Sequence, residues 1–210
     1  MEVDSNHGPM SNTPKLYGLV LGGGRSTRMG SDKRLLNYHG SEQQACMYNL
    51  LEQVCEASYL SIRQDQVSSN EGRFNVIIDK NRYQGPFNGI MSAHAAYPKV
   101  AWLVLACDLP FMDKESLKTL IAKRNLLKGA TAMATKKTDI PEPLVTIWEP
   151  KGLEKAKEFL EVSKNSGPTE FLRNSEIDKV YPSTDDVLFN ANSREDFDQA
   201  KTRLKALQDG

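Results

Sequence analysis

The 210-residue chain carries 27 basic and 27 acidic side chains, and a formal net charge of zero removes the simplest electrostatic reason for binding a polymeric polyanion or an acidic membrane surface. A hydrophobic fraction of 39% with 26% charged residues is that of a soluble globule, which excludes disorder, coiled coil and collagen as descriptions of the whole chain. The length suits one large α/β domain better than two. No apolar run approaches the roughly 20 residues that span a bilayer, and the N-terminus lacks a hydrophobic signal core, so a cytoplasmic location is expected. Cys46, Cys55 and Cys107 form an odd set without C-x-x-C spacing, which points to reduced, mostly buried thiols rather than disulfides or a zinc site.

Residues 1–14 are polar and aperiodic and read as a disordered leader, leaving 15–210 as a single domain. Leu16–Leu21 is a short apolar run that ends abruptly in Gly22-Gly23-Gly24, the pattern of a buried strand entering a glycine loop. Ser41 with Gln44 resembles a capping box, and Met47, Leu50, Leu51, Val54 and Cys55 recur at helical spacing, predicting a helix of about 15 residues. Tyr59–Arg63 and Phe74–Asp79 are further strand candidates. Gly85–Gly89 is punctuation, and Ile90–Ala96 reads as a helix. Trp102–Cys107 has the most buried-looking strand pattern; it ends in Asp108, and Pro110, which cannot continue a central strand, marks the edge of the sheet. Asp113 is a credible N-cap for a helix bearing Leu117, Leu120 and Ile121; Ala130–Thr135 and Pro143–Trp148 supply two strands. Leu153, Ala156, Phe159 and Leu160 mark another helix, and Ser193 caps a last one whose Phe197, Ala200, Leu204 and Leu207 share a face.

Strands alternating with helices over nearly the whole length predict a three-layer α/β/α sandwich with a mostly parallel sheet. In such sheets ligands bind beyond the carboxyl ends of the strands, where the glycine loop, Asp79 and Asp108 all fall. The loop itself, Leu21 to Lys33, places Arg25, Arg28 and Lys33 within nine residues. Glycines let main-chain N–H groups approach an anion closely, a guanidinium chelates two oxygens, and a lysine adds a mobile point charge, so the segment suits a polyphosphate. It is not a P-loop, since Gly30 is followed by Ser31-Asp32-Lys33-Arg34. Nor is it a dinucleotide fingerprint, because Thr27 stands where the last glycine of G-x-G-x-x-G is required.

The segment Leu21–Lys33 is similar to L-[AG]-G-G-x-[ST]-x-R-M-G-x-D-K, the signature of the molybdenum cofactor guanylyltransferase (MobA-like) group of nucleotidyltransferases. Three further blocks follow in the same order. Ile78-Asp79 with Gly85–Ile90 resembles the group's acid and G-P-L-x-G segment. Ala106–Phe111 resembles C-D-x-P-[FY], and Phe189–Ser193 with Glu195-Asp196 resembles F-x-N-[VIL]-N-[TS]-x-E-[ED]. The resemblance implies a Rossmann-like nucleotidyltransferase fold with a mixed sheet. It also implies transfer of GMP from GTP to molybdopterin or molybdenum-molybdopterin, with release of pyrophosphate.

The resemblance further assigns roles. The pterin phosphate attacks the α-phosphorus in line, so the protein must position two anions and neutralise developing charge, and it needs no Ser-His-Asp or Cys-His arrangement. Asp108 is the expected Mg²⁺ ligand. Lys33 contacts the GTP phosphates, Arg28 supports the leaving pyrophosphate, and Arg25 is solvated. Main-chain groups of Leu21, Gly22 and Gly23 contact the nucleotide, with Asp79 accepting either from guanine N1–H and N2–H₂ or from ribose hydroxyls. Asn190 or Asn192 orients the pterin phosphate or a metal-bound water, although both asparagines are also explained as turn or cap residues beside Ser193. Arg63 departs from the pattern, standing where the best-known members carry asparagine; contact with phosphate or simple exposure are both open to it. The implied partners are GTP and molybdopterin, with transient contacts to apo-molybdoenzymes or an accessory GTP-binding protein, and the chain is expected to be a monomer or weak oligomer. A CTP-dependent or sugar-phosphate nucleotidyltransferase is the nearest alternative; Leu21-Gly22-Gly23 leaves more room for a purine than the L-A-A-G of cytidylyl relatives. A non-catalytic nucleotide-binding regulator is the other, disfavoured by the presence of both Lys33 and Asp108.

Overall fold

The computed structural model describes residues 13–22, 42–163 and 167–208. Seven strands form one sheet: β1 (Leu16–Leu21), β2 (Ala57–Ile62), β3 (Val76–Ile78), β4 (Ala101–Ala106), β5 (Ala130–Ala134), β6 (Pro141–Trp148) and β7 (Ile177–Val180). The helices are α1 (Gln43–Glu52), α2 (Val67–Asn70), α3 (Pro86–Ala96), α4 (Lys114–Ala122), α5 (Pro150–Val162), α6 (Pro168–Arg173) and α7 (Arg194–Gln208). The strand order β3-β2-β1-β4-β6-β5-β7 reverses direction of growth between β1 and β4. All pairings are parallel except those of β6, which runs antiparallel to both β4 and β5.

Alternation along β4 explains the three layers. Leu103 and Leu105 face one side, where Met47 and Leu51 of α1 and Leu117 and Leu120 of α4 pack. Trp102 and Val104 face the other, against Phe87 and Ile90 of α3, Leu153 and Ala156 of α5 and Phe171 of α6. Each residue of β4 is buried, and burying one such large apolar side chain contributes about 1.5–3 kcal/mol. The strand cannot show an alternating polar pattern because both faces are covered.

Several elements differ from the sequence expectation. The strand before Asp108 lies mid-sheet, so Pro110 stands past its carboxyl end and not at a lateral edge. Helix α1 has ten residues, not about 15: the N–H groups of Val54 and Cys55 both turn back to Leu51 O, and Glu56 N–H has already joined Leu16 O in the sheet. The expected cap Ser41 lies outside the described residues; the N-cap is Glu42, with no side-chain cap bond, and the Gln44 amide donates to Glu42 Oε2 (3.1 Å) and Asn70 Oδ1 (3.5 Å). Helix α3 starts inside the expected turn, at Pro86, because Gly85 takes φ 59° before it and proline suits the first helical position. The short α6 and β7 had no counterpart in the sequence reading. Asp113 caps α4 as expected, accepting from Ser116 N–H at 2.7 Å, and Ser193 Oγ accepts from Asp196 N–H at 3.1 Å ahead of α7. The three cysteines are unbridged and half-buried, and burial pushes the Cys55 thiol up to about 12. Among the described residues, no helix is long and apolar enough to cross a membrane.

One ion pair ties the start of the sheet to its middle. Arg124, after α4, donates through Nε to Glu149 Oε1 (2.6 Å) and through Nη2 to Glu149 Oε2 (3.0 Å), and Nη2 also reaches Pro14 O (2.9 Å). Both side chains are largely buried, at 12% and 3% exposure. Removing one partner strands the other charge, so Arg124→Met is expected to lower stability by about 3–5 kcal/mol in urea unfolding with an unchanged slope. A loss below 1 kcal/mol would show that Glu149 finds another partner or water.

Candidate active site

The reversal between β1 and β4 is the point at which an α/β sheet opens a crevice at its carboxyl ends. Leu21, the last residue of β1, pairs with Ser61 of β2 on one side and Ala106 of β4 on the other. The start of the glycine loop is thereby centred between the ends of β2 and β4, with Asp79, which follows β3, bonded to Ile62 at the end of β2 on one side and Asp108, two residues past β4, on the other. Gly22 N–H donates to Ser61 O at 2.9 Å, fixing the chain's exit from β1. Gly23, Arg25, Arg28 and Lys33 lie outside the described residues. Where the chain is described again, buried Gln43 donates from Nε2 to Leu109 O at 3.2 Å, anchoring α1 beside the end of β4.

On the β2 side stands Asp79. It is 8% exposed, its N–H bonds Ile62 O (2.8 Å), and its Oδ1 accepts from Ser61 Oγ at 2.5 Å. Burial raises its pKa, opposed by the hydrogen bonds of Ser61 and Asn88 and by the charge of Arg63. The close approach of α3 to this acid needs Gly89, since a Cβ there would collide with Ser61 Oγ and Leu21 Cδ2. Arg63 is clamped by Asp65, with Nε to Oδ1 at 3.0 Å and Nη2 to Oδ2 at 3.1 Å. Its guanidinium is therefore a neighbour of Asp79 held by its own carboxylate, neither simply exposed nor poised alone for phosphate.

On the β4 side stands half-buried Asp108. Its carbonyl accepts from Ala191 N–H at 2.9 Å, which draws the Asn190–Asn192 segment across 83 residues of chain to the end of β4. The two asparagines then part. Asn190 is half-buried and its Nδ2 donates to Leu188 O at 3.3 Å, whereas Asn192 is exposed and its N–H donates to Asp196 Oδ2 (2.9 Å) in the cap of α7.

A third acid, Glu142, was absent from the sequence expectation, which began its strand at Pro143. Burial is the main cause of its raised pKa, the charge of Asp108 adds to it, and hydrogen bonds from Leu144 N–H and the Asn190 amide oppose it. The one signal available was an acid between two prolines, Pro141-Glu142-Pro143, in an otherwise apolar run. Asp108, Glu142 and Asn190 thus form one oxygen-rich corner, and Asp79 with Ser61 another, with Leu21–Gly22 between them. Such an arrangement can hold a nucleotide by its base or sugar at one corner and a cation with phosphates at the other.

Residues 18–180 match the MobA-like NTP transferase domain. The chain is 33% identical over 203 residues to the molybdenum cofactor biosynthesis bifunctional protein of Synechocystis sp., covering 95% of this chain and 57% of that protein. It therefore spans little more than half the length of that relative. It is 26% identical to the molybdenum cofactor guanylyltransferase of Ectopseudomonas mendocina, over 84% of this chain and 87% of that one. The fold superposes on molybdopterin-guanine dinucleotide biosynthesis protein A of Archaeoglobus fulgidus with a TM-score of 0.71 at 19% identity, covering 90% and 99% of the two chains. A nucleotidyl transferase from Methanothermobacter gives 0.72 at 14% identity, over 92% and 99%. With the domain match running from β1 to β7 and the same architecture in these nucleotidyltransferase structures, the chain belongs to the MobA-like NTP transferase family.

Proposed function

We propose that this protein transfers GMP from GTP to molybdopterin or its molybdenum complex. A phosphate oxygen of the acceptor forms the new bond to the α-phosphorus, the α–β phosphoanhydride bond breaks, and pyrophosphate leaves with the electron pair. The observation that supports this most is the convergence of Asp79, Leu21–Gly22 and Asp108 at the β1/β4 switch point of a MobA-like chain. An acceptor phosphate is already ionised at neutral pH, so the demand on the protein is positioning and charge compensation, not general-base catalysis.

In this reading Asp79 takes the nucleoside, through guanine N–H groups or ribose hydroxyls, in a setting where burial strengthens each hydrogen bond. Main-chain groups from Leu21 to Gly23 border the phosphates; Lys33 and Arg28 supply cationic charge to the triphosphate and the leaving pyrophosphate. Asp108 and Glu142 offer hard carboxylate oxygens and Asn190 an amide oxygen, a donor set that fits Mg²⁺. Such an ion takes one or two carboxylates and completes its shell with phosphate oxygens and water. When bound, Mg²⁺ would offset the repulsion between acceptor phosphate and triphosphate. Asn190, whose amide lies within reach of the Glu142 carboxylate, is the asparagine assigned to that corner.

Purified protein incubated with Mg²⁺, molybdopterin and single nucleotides is expected to release pyrophosphate with GTP and to be at least tenfold slower with CTP; release with CTP alone would overturn the guanylyl reading. Asp108→Ala and Lys33→Ala should each lower the GTP rate by about 10²–10³-fold, the scale of removing one charge-stabilising group, while keeping the folded circular-dichroism spectrum. Wild-type turnover in either would remove its assigned role.

Asp79 carries an opposite consequence for stability. Its raised pKa means that the native state binds its proton more tightly than the unfolded chain, so its contribution weakens as pH rises through the native value and the ionised acid is a net cost at neutral pH. Asp79→Asn keeps an acceptor for Ser61 and should raise Tm by roughly 2–4 °C, the shift expected per kcal/mol for a chain of this size, while weakening GTP binding. A lower Tm with unchanged GTP affinity would contradict both halves.

A further inference from the structure

Ser61 stands near the end of β2, between Leu60 and Ile62, and pairs with Leu21 of β1 on one side and Ile77 of β3 on the other. It is 1% exposed, in a strand covered on both faces, where an apolar residue is the ordinary occupant. The size of the side chain and its hydroxyl have separate causes. Helix α3 closes on this point so tightly that a Cβ on Gly89 would collide with Ser61, which leaves room for a small side chain, and alanine would meet that demand as well as serine. A buried hydroxyl destabilises unless it is hydrogen-bonded, and the partner of this one is Asp79.

Asp79 is held at both ends by consecutive residues of β2. Its N–H donates to Ile62 O at 2.8 Å, and its carboxylate accepts at Oδ1 from Ser61 Oγ at 2.5 Å. The Ser61 carbonyl accepts from Gly22 N–H at 2.9 Å, where the chain leaves β1. One residue therefore links the acid assigned to the nucleoside with the entry of the loop assigned to the phosphates. The two links are chemically distinct: the carbonyl tie belongs to the backbone and survives replacement by alanine, whereas the carboxylate tie is lost with the hydroxyl. At 1% exposure Ser61 offers no surface of its own to a ligand, so any effect on binding passes through its neighbours.

We propose that Ser61 is a positioning residue: by donating to Oδ1 it fixes the plane of the Asp79 carboxylate, and so the lone pairs that receive the nucleoside. This rests on the reading of Asp79 as the nucleoside acid. The terminal torsion of an aspartate is broad, and without the hydroxyl the carboxylate can turn. It also loses a donor that favours the ionised form. The burial that raises its pKa is then opposed by the Asn88 amide and by the charge of Arg63, itself paired with Asp65.

The test is isothermal titration calorimetry of a non-hydrolysable GTP analogue with Mg²⁺ present. Ser61→Ala should weaken binding by roughly tenfold, the scale of one hydrogen bond to a charged group, while keeping the folded circular-dichroism spectrum. Binding through the ionised carboxylate fades as Asp79 takes up a proton. Removing a donor that lowers its pKa should therefore move the acid limb of affinity against pH to higher pH in Ser61→Ala. In an Asp79→Ala background, itself weakened, Ser61→Ala should cost no further affinity, because its effect passes through that carboxylate. Wild-type affinity in Ser61→Ala, or an undiminished loss in the Asp79→Ala background, would overturn the proposal. So would weaker binding with an unmoved acid limb and a lower Tm, which marks a purely structural role. Wild-type affinity in Asp79→Ala would overturn the nucleoside role of Asp79 together with the proposal, whereas a weakened Asp79→Ala beside an unaffected Ser61→Ala would overturn the proposal alone. These readouts need no acceptor. They decide the role of Ser61 even if the wild type fails to transfer GMP to molybdopterin, a failure that would overturn the functional reading alone.

Discussion

The site depends on the register of β4 with its two neighbours. Parallel pairing with β1 sets Ala106 beside Leu21, so the entry to the glycine loop and the acid two residues past Ala106 occupy the same end of the sheet. Antiparallel pairing with β6 brings the chain back across that same end, where a strand in the parallel sense would begin at the opposite edge. A strand buried on both faces tolerates little slippage, because a one-residue shift would exchange the residues facing the two helical layers. The apolar packing around Leu103, Leu105, Trp102 and Val104 therefore determines where the carboxylates stand as well as how stable the fold is.

The electrostatic character of the molecule is local. Equal totals of acidic and basic residues conceal an end of the sheet at which Asp79 and Glu142 are both desolvated and both harder to ionise than exposed acids. Acids placed so are poor contributors to stability and useful contributors to binding, since a ligand's N–H groups or a cation can supply what water no longer does. Gly89 serves the same end by allowing α3 to close over Ser61 and Leu21, as does the Asp65 clamp that keeps the Arg63 guanidinium beside Asp79.

The parts of this arrangement legible in the sequence were those with a local signal. The apolar run into three glycines, the caps Asp113 and Ser193, and the acids closing two strands each declare themselves within a few residues. What was not legible arises from pairing. The antiparallel sense of β6 has no marker in Pro141–Trp148, and prolines at both ends of its first turn of chain displaced the expected strand start away from Glu142. The four-residue β7 is too short to show a period. The start of α3 was hidden because Gly85 and Pro86 read as a turn, when Gly85 supplies the left-handed residue before the helix and Pro86 its first turn. Asn190 and Asn192 were equivalent as sequence and became distinct only when Ala191 N–H docked on Asp108 O.

The central claim is that a guanine nucleotide lies across the β1/β4 switch point. Crystals grown with a non-hydrolysable GTP analogue and Mn²⁺ test it directly, the ion being located by its anomalous scattering. The account predicts the base or ribose on Asp79, the phosphates along Leu21–Gly23, and Mn²⁺ on the Asp108 carboxylate. Nucleotide bound elsewhere, or Mn²⁺ held without Asp108, would contradict it.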